Sequence, residues 1–554
     1  MSYPYNLGRY SRKISTRSKD AQRWFDRGLA WCYGYNHDEA VRCFKKAAKA
    51  DPKCLMAQWG IAYAAGPNYN KQWKAFDVVD LKRSLKTARD ATLKAQKLAE
   101  KATPVEQALA HALLKRYPNA NPESVTPIWN DDYAAEMRDV YRAHGGGDAD
   151  VASLFAEAIM NRTPWALWDI ATGKPAEGAD TLEAIAVLEK AMKQKGGMAH
   201  PGLLHMYIHL MEMSPHPERA LKAGDALRNL VPDAGHLQHM PTHIDVLCGH
   251  YQSVVEWNDV AMAADRKYLK DRGANNFYSL YRCHDYHFRV YGAMFAGQYA
   301  VALAASEELA ATIPEKLLRV ESPPMADWLE AFVPVKQHVY IRFGKWSEIK
   351  TQGLPKDQSL FCTTTAMIHY AKAVAHSATG EVAKAEAEAE LFHKAKERVP
   401  PTRYLFNNTA LDILAVASEM MAGEIAYRKG HHDRAFEHLR KTVELDDNLP
   451  YDEPWGWMQP ARHALGALLL EQGRIEEAAT VYRADLGLDH TLRRPCQHPD
   501  SVWSLHGYHE CLTRLGRKEE ATLIKHRLDI GAARADVPIM ASCFCHQRAM
   551  TCCD

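Results

Sequence analysis

The chain has 554 residues, 27 of them histidine, and its 69 Lys+Arg against 68 Asp+Glu leave a net charge of +1. A balance of that kind supplies no global field to recruit nucleic acid or an anionic membrane. With 47% hydrophobic and 25% charged residues, the composition excludes a disordered chain and assures a sizeable core.

The opening residues, MSYPYNLGRYSRKIST, lack the apolar stretch of a secretory signal, and no later segment approaches the length of a membrane-spanning helix. The expectation is a cytoplasmic protein that engages neither membrane nor nucleic acid. Eight cysteines (Cys32, Cys43, Cys54, Cys248, Cys283, Cys362, Cys496 and Cys511) are scattered singly through helical patterns, and most of them read as buried thiols.

From Trp24 to Pro52 the chain carries Trp24, Gly28, Trp31, Ala40, Phe44, Ala47 and Pro52 at the offsets W-x3-G-x2-W-x8-A-x3-F-x2-A-x4-P. This resembles a tetratricopeptide repeat (TPR). Small Gly28 and Ala40 let two antiparallel helices approach, Trp24, Trp31 and Phe44 fill the space beside them, and Pro52 stops the second helix. One such unit cannot bury its own apolar face.

Further units share a turn in which a glycine is followed five residues later by a small or aliphatic residue: Gly249/Val254, Gly297/Ala302, Gly344/Ile349, Gly380/Ala385, Gly430/Ala435, Gly473/Ala478 and Gly516/Ala521. Between these turns the chain is rich in the helix formers Ala, Leu, Glu, Lys and Arg, as in AKAEAEAELFHKAKE. The predicted fold is all-α, a TPR-like right-handed superhelical solenoid of antiparallel helix pairs. It is expected to run as one continuous solenoid over residues 1–535, with a histidine-rich centre at about 199–296 and a Cys-rich tail at 536–554. Pro- and Asn-rich stretches at 66–80 and 117–130, together with 352–359 and 446–460, read as inserted loops, which on solenoids often mark the binding face.

Ten of the histidines fall between His200 and His287. His205, His209 and Glu212 lie at i, i+4 and i+7 of one helical pattern, and therefore share a face. His236, His239 and His243 form a second stripe, and His284 with His287 a third. Each stripe falls in the first helix of its pair, the helix that lines the concave side of a TPR solenoid. Imidazoles with an occasional carboxylate are the ligand set of zinc, copper, nickel or non-haem iron. The eight residues are therefore candidate ligands of a transition metal ion, copper or zinc first, with iron admitted by a two-His-one-Glu choice. The alternative is a metal-free polar pocket in which the histidines satisfy one another and nearby backbone. Pro241, inside the second stripe, is expected to kink its helix and re-aim His243. His200, His216 and His250, beside Pro, Gly or a turn, read as structural.

The single N-terminal TPR, the HPG-x2-H-x3-H segment from His200, His239-Met240-Pro241-Thr242-His243-Ile244, Tyr281 with His284-x2-His287-Phe288, and Tyr451-Asp452-Glu453-Pro454 occur together. In this combination the chain resembles a family of long TPR-domain proteins of bacteria and filamentous fungi. That resemblance spans nearly the whole chain and implies the solenoid and its histidine-rich centre, without an activity.

Glu453, set among Asp452, Pro454, Trp455 and Trp457, and His463 in the next helix are candidate catalytic residues, since a carboxylate beside tryptophans suits a general acid or base. The alternative is a loop that packs its tryptophans and caps the following helix. Arg162, Trp165 and Trp168 are candidates to wall a pocket. Cys543-x-Cys545-His546 with Cys552-Cys553 forms a weak soft-metal or redox pattern. No phosphate loop, G-x-S-x-G or H-E-x-x-H motif is present. The functional expectation is a metal-dependent oxidase acting on a small molecule. Its alternative is a non-enzymatic TPR scaffold that binds a peptide, partner protein or small molecule.

Overall fold

The computed structural model describes residues 3–546 and is all-α, built from TPR-like antiparallel helix pairs with only two short two-stranded hairpins among the described residues. It divides into two compact units, Met1–Ile244 with Asp259–Arg282, and Asp245–Asn258 with Cys283–Asp554.

The first unit starts with the helices Lys19–Tyr33 and His37–Ala50, capped by Ser18 and Asn36, whose side chains accept from the backbone N–H groups of Ala21 and Glu39. Phe44 is the wedge of this pair. Its ring leaves no room for a side chain at Gly28, where a Cβ would come within 2.6 Å, nor at Gly60 of the next helix, Leu55–Ala65, where the distance would be 2.5 Å. Gly28 permits the close approach expected of it, and Gly60 does the same on the other side of the Phe44 ring. The aromatic filling differs from expectation at one position. Phe25 is fully buried with its ring 5.4 Å from that of Phe44, whereas Trp24 is half-buried beneath Arg27 and Lys46. Phe25 and Gly28 stand at i, i+3 on the face turned to Phe44, and Trp24 is rotated off it.

In the second unit the pairs Cys362–Ala378/Val382–Lys396, Ala410–Arg428/His432–Asp447, Ala461–Glu471/Ile475–Asp485 and Val502–Arg514/Lys518–Ala532 follow one another. All seven turn glycines of the sequence pattern adopt positive φ between 62° and 78°, the left-handed region that closes a helix C-terminus and that residues with a Cβ rarely enter. The partner five residues on is buried in every case, from Val254 to Ala521. The pattern therefore reports a helix stop followed by the first core contact of the next helix.

The 446–460 insertion folds inward, with Tyr451, Trp455, Trp457 and Met458 buried. Asp446 accepts from Trp455 Nε1 at 3.0 Å and from the Ala461 backbone N–H at 3.0 Å, so one carboxylate anchors the loop and caps the helix after it. Burial pushes this carboxyl up to about 8. Residues 536–546 pack on the second unit. Asp536 accepts from the Tyr299 and Ala300 N–H groups, Phe544 lies against Gly344, and Cys543 and Cys545 form a disulfide. In that state the two sulfurs are not thiolate ligands. Cys552 and Cys553 lie outside the described residues. No described helix is long and apolar enough to cross a membrane.

Candidate metal centre

Six of the eight predicted ligands belong to the first unit, and all six are essentially without solvent exposure. The Pro201–Glu212 helix carries His205, His209 and Glu212. His200 caps it, accepting the Leu203 N–H at Nδ1 and holding Asp150 through Nε2, which is the structural role its position suggests. The second stripe is split as Pro241 requires. One helix runs Gly235–His239 and another starts at Pro241. Tyr278 Oη accepts the His236 N–H and fixes the entry to the stripe.

Hydrogen bonds define the state of the rings. His205 Nδ1 lies 2.6 Å from the Tyr33 carbonyl oxygen, which can only accept, so Nδ1 carries the hydrogen and Nε2 presents a lone pair. His209 Nδ1 donates to Glu212 Oε1 at 3.0 Å and His243 Nδ1 to Oε2 of the same carboxylate at 2.7 Å. His243 Nε2 is then an acceptor, and His239 Nε2 donates to it at 2.7 Å. The Nε2 atoms of His205 and His209 are buried with no hydrogen-bond partner. Burial pushes His205 down to about 3 and holds His209 well below the ordinary imidazole range, so both are neutral at physiological pH.

One ligand atom each from His205, His209 and His236 can be chosen so that all lie within 4.8 Å of one another. A metal–imidazole bond of about 2.0–2.1 Å sets tetrahedral ligand atoms about 3.3 Å apart. An ion thus fits after modest inward rotation of the rings. The geometry is that of imidazoles whose far nitrogens are pinned by a carbonyl and a carboxylate, the arrangement that fixes tautomer and direction at metal sites.

Aromatic rings enclose the cluster. Tyr35, at φ +54° in the turn of the first helix pair, sets its ring 4.5 Å from that of His205, 5.9 Å from His209 and 5.6 Å from His236. Tyr69 from the 66–80 insertion lies 4.9 Å from His209, Trp165 lies 5.8 Å from it, and Tyr281 lies 4.7 Å from His236. Of the three residues expected to wall a pocket, Trp165 faces the cluster. Trp168 donates instead to the Leu210 carbonyl, and Arg162 pairs with Asp131 and Asp180. Tyr33, Tyr35 and Tyr69 were not singled out by the sequence, because they reach the site from the first helix pair and from the 66–80 insertion.

The other predicted residues sit in the second unit. His284 packs against Phe288 and Phe406, and His287 against Phe332. Glu453 accepts the Tyr451 hydroxyl. His463 has both nitrogens engaged, Nε2 with Asp485 at 3.1 Å and Nδ1 with Arg342 at 2.8 Å. Asp485 also holds His498 at 2.8 Å and Ser504 at 2.5 Å. Burial opposes ionisation of Asp485, but His498 and His463 outweigh it and hold the carboxyl well below the usual range.

Fold and site together define an all-α TPR-like protein with a buried imidazole cluster. No family model and no curated protein matches the chain. Among solved structures it is similar to yeast Tom70, at 12% identity over 91% of this chain and 98% of that one, TM-score 0.26. It is also similar to a chain of the APC/C hetero-tetramer Cut9–Hcn1, at 13% identity over 93% and 97%, TM-score 0.22. A third similarity is to the structure of Naa15/Naa10 bound to HypK-THB, at 15% identity over 92% and 70%, TM-score 0.21. At these scores the likeness carries no argument about shape, partners or activity.

Proposed function

We propose that this chain is a metal-binding protein in which His205, His209 and His236 hold a divalent transition metal ion, zinc or copper, through imidazole nitrogen. The observation that carries the reading is the pair of buried, unpartnered Nε2 lone pairs on His205 and His209, directed by the Tyr33 carbonyl and by Glu212. Leaving two buried acceptors unmet costs about 1–3 kcal/mol each, and a cation shared between them removes that cost. Glu212 supplies the compensating negative charge, and its bonds to His209 and His243 raise ligand basicity.

A three-imidazole ion keeps an open position, where copper supports redox chemistry and zinc polarises water. Oxidation of a small molecule is the finer form of the proposal, with Tyr35 and Tyr69 packed against the histidines that would hold the ion. No step is assigned to Glu453 or His463, whose side chains are held by Tyr451 and by Asp485 with Arg342. A second reading, a scaffold that binds a peptide or partner protein, draws support from the TPR-like pairing of helices around Phe44.

The deciding measurement is elemental analysis of tag-free protein. One equivalent of zinc or copper in the wild type, lost in His205→Ala/His209→Ala with the helical spectrum retained, supports the metal reading. Metal-free protein that also fails to take up either ion on titration sinks it and leaves the scaffold.

A further inference from the structure

The second unit contains a cavity of about 20 Å³ lined by His287, His338, Thr363, Met367 and Met458 among aliphatic neighbours. His287 comes from the Tyr278–Phe295 helix and His338 from Val335–Arg342. Thr363 and Met367 stand one turn apart on Cys362–Ala378, and Met458 comes from the loop ahead of Ala461–Glu471. The two histidines are 2% and 5% exposed, and Met367 and Met458 are each 1% exposed. Each imidazole is braced edge-on by an aromatic ring, His287 by Phe332 at 5.4 Å and His338 by Trp457 at 4.9 Å. Neither histidine has a hydrogen-bond partner for its Nδ1.

Size and chemistry restrict the occupant. A cavity of about 20 Å³ admits one water-sized particle and no organic molecule. Two imidazoles and two thioethers, with no carboxylate in the lining, form a soft and uncharged donor set. A hard or divalent ion would enter without an anion to offset its charge, whereas thioether and imidazole ligands together select monovalent copper. Water is the competing occupant, since it too can bridge two imidazoles, but it makes no use of the sulfur atoms.

We propose that His287 and His338, with the thioether of Met367 or Met458, form a soft-metal site for Cu(I) within the second unit. His338 lies outside the histidine-rich stretch and joins His287 only through the fold.

The test uses full-length protein carrying His205→Ala/His209→Ala, so that the first cluster cannot contribute, titrated anaerobically with Cu(I) against a chromophoric Cu(I) chelator. The expected result is one equivalent bound, with affinity falling at least tenfold in Met367→Leu/Met458→Leu and the equivalent lost in His338→Phe. Leucine for methionine preserves core volume, so the double variant separates ligation from packing. If the His205→Ala/His209→Ala background fails to fold, Cu(I) X-ray absorption of the wild type before and after the Met-to-Leu changes gives the same decision, with sulfur scattering expected only before. Failure of the background to bind Cu(I), an affinity untouched by the Met and His changes, or a spectrum with nitrogen alone would overturn the proposal and leave a water-filled cavity.

Discussion

His209 and Glu212 meet across one turn of the Pro201–Glu212 helix, Nδ1 to Oε1 at 3.0 Å, both fully buried. The same carboxylate takes His243 on its other oxygen, so a single anion sets the direction of two imidazoles on different helices. Replacing Glu212 by Gln keeps the shape and removes the charge. One of the two imidazole N–H donors then faces an amide NH₂ and must turn. Metal affinity is expected to fall about 10- to 100-fold, while helical content is unchanged. Competition titration with zinc and a chelating dye reads this directly, and an unaltered affinity would show that Glu212 does not act through the ligands.

The wedge at Phe44 makes a stability prediction. Phe44→Ala empties the space shared with Gly28 and Gly60 and is expected to cost about 3–5 kcal/mol. Gly28→Ala forces a Cβ to within 2.6 Å of the same ring and should destabilise as well. Lowered midpoints in urea unfolding of both variants, with the smaller loss in Phe44→Leu, would be the signature.

Asp150 makes a pH-dependent stability prediction for the first unit. Burial opposes its ionisation, but the hydrogen bond from His200 Nε2, the Arg12 guanidinium and the Tyr10 hydroxyl outweigh burial and hold the carboxyl well below its ordinary value of 3.8. A depressed folded pKa contributes stability that is present above about 3.8 and is lost as the pH falls below it. Asp150→Asn should therefore cost on the order of 3 kcal/mol at pH 7, and the gap to wild type should narrow below pH 4. Thermal midpoints at pH 7 and pH 2.5 test the sign.

Glu157 has the opposite dependence. Desolvation, only partly offset by Asn161, pushes its carboxyl up to about 8 from 4.5. Between those values the folded form keeps a proton that the unfolded chain releases, so stability declines by about 1.4 kcal/mol per pH unit and levels off above 8. Glu157→Gln should raise the melting temperature at pH 8.5 and leave it nearly unchanged at pH 4.5. Parallel shifts at both pH values would contradict the assignment.

The repeat turns were legible in the sequence because left-handed backbone nearly demands glycine, and all seven positions obey. The split at Pro241 was legible for a similar reason, since proline removes a donor. Helical spacing also placed His205 and His209 on one face correctly. What spacing does not carry is the identity of neighbours from other pairs. Tyr35 and the Tyr33 carbonyl reach the cluster from the first repeat, Tyr69 arrives from an insertion, and backbone carbonyls leave no mark in composition. The exchange of Trp24 for Phe25 in the core is a rotation of one residue about a helix axis, below what a repeat pattern can resolve. His338 escaped notice because it stands alone in sequence.

The bond from His205 to the Tyr33 carbonyl joins residues 172 positions apart. The ring that this carbonyl orients acquires its final tautomer only after the first helix pair and the Pro201–Glu212 helix have docked. A nascent or truncated chain that ends before residue 201 holds none of the three clustered histidines, and one that fails to dock holds them unaligned. Ion retention would then act as a certificate of completed assembly, distinguishing the finished first unit from compact intermediates that already contain its helices.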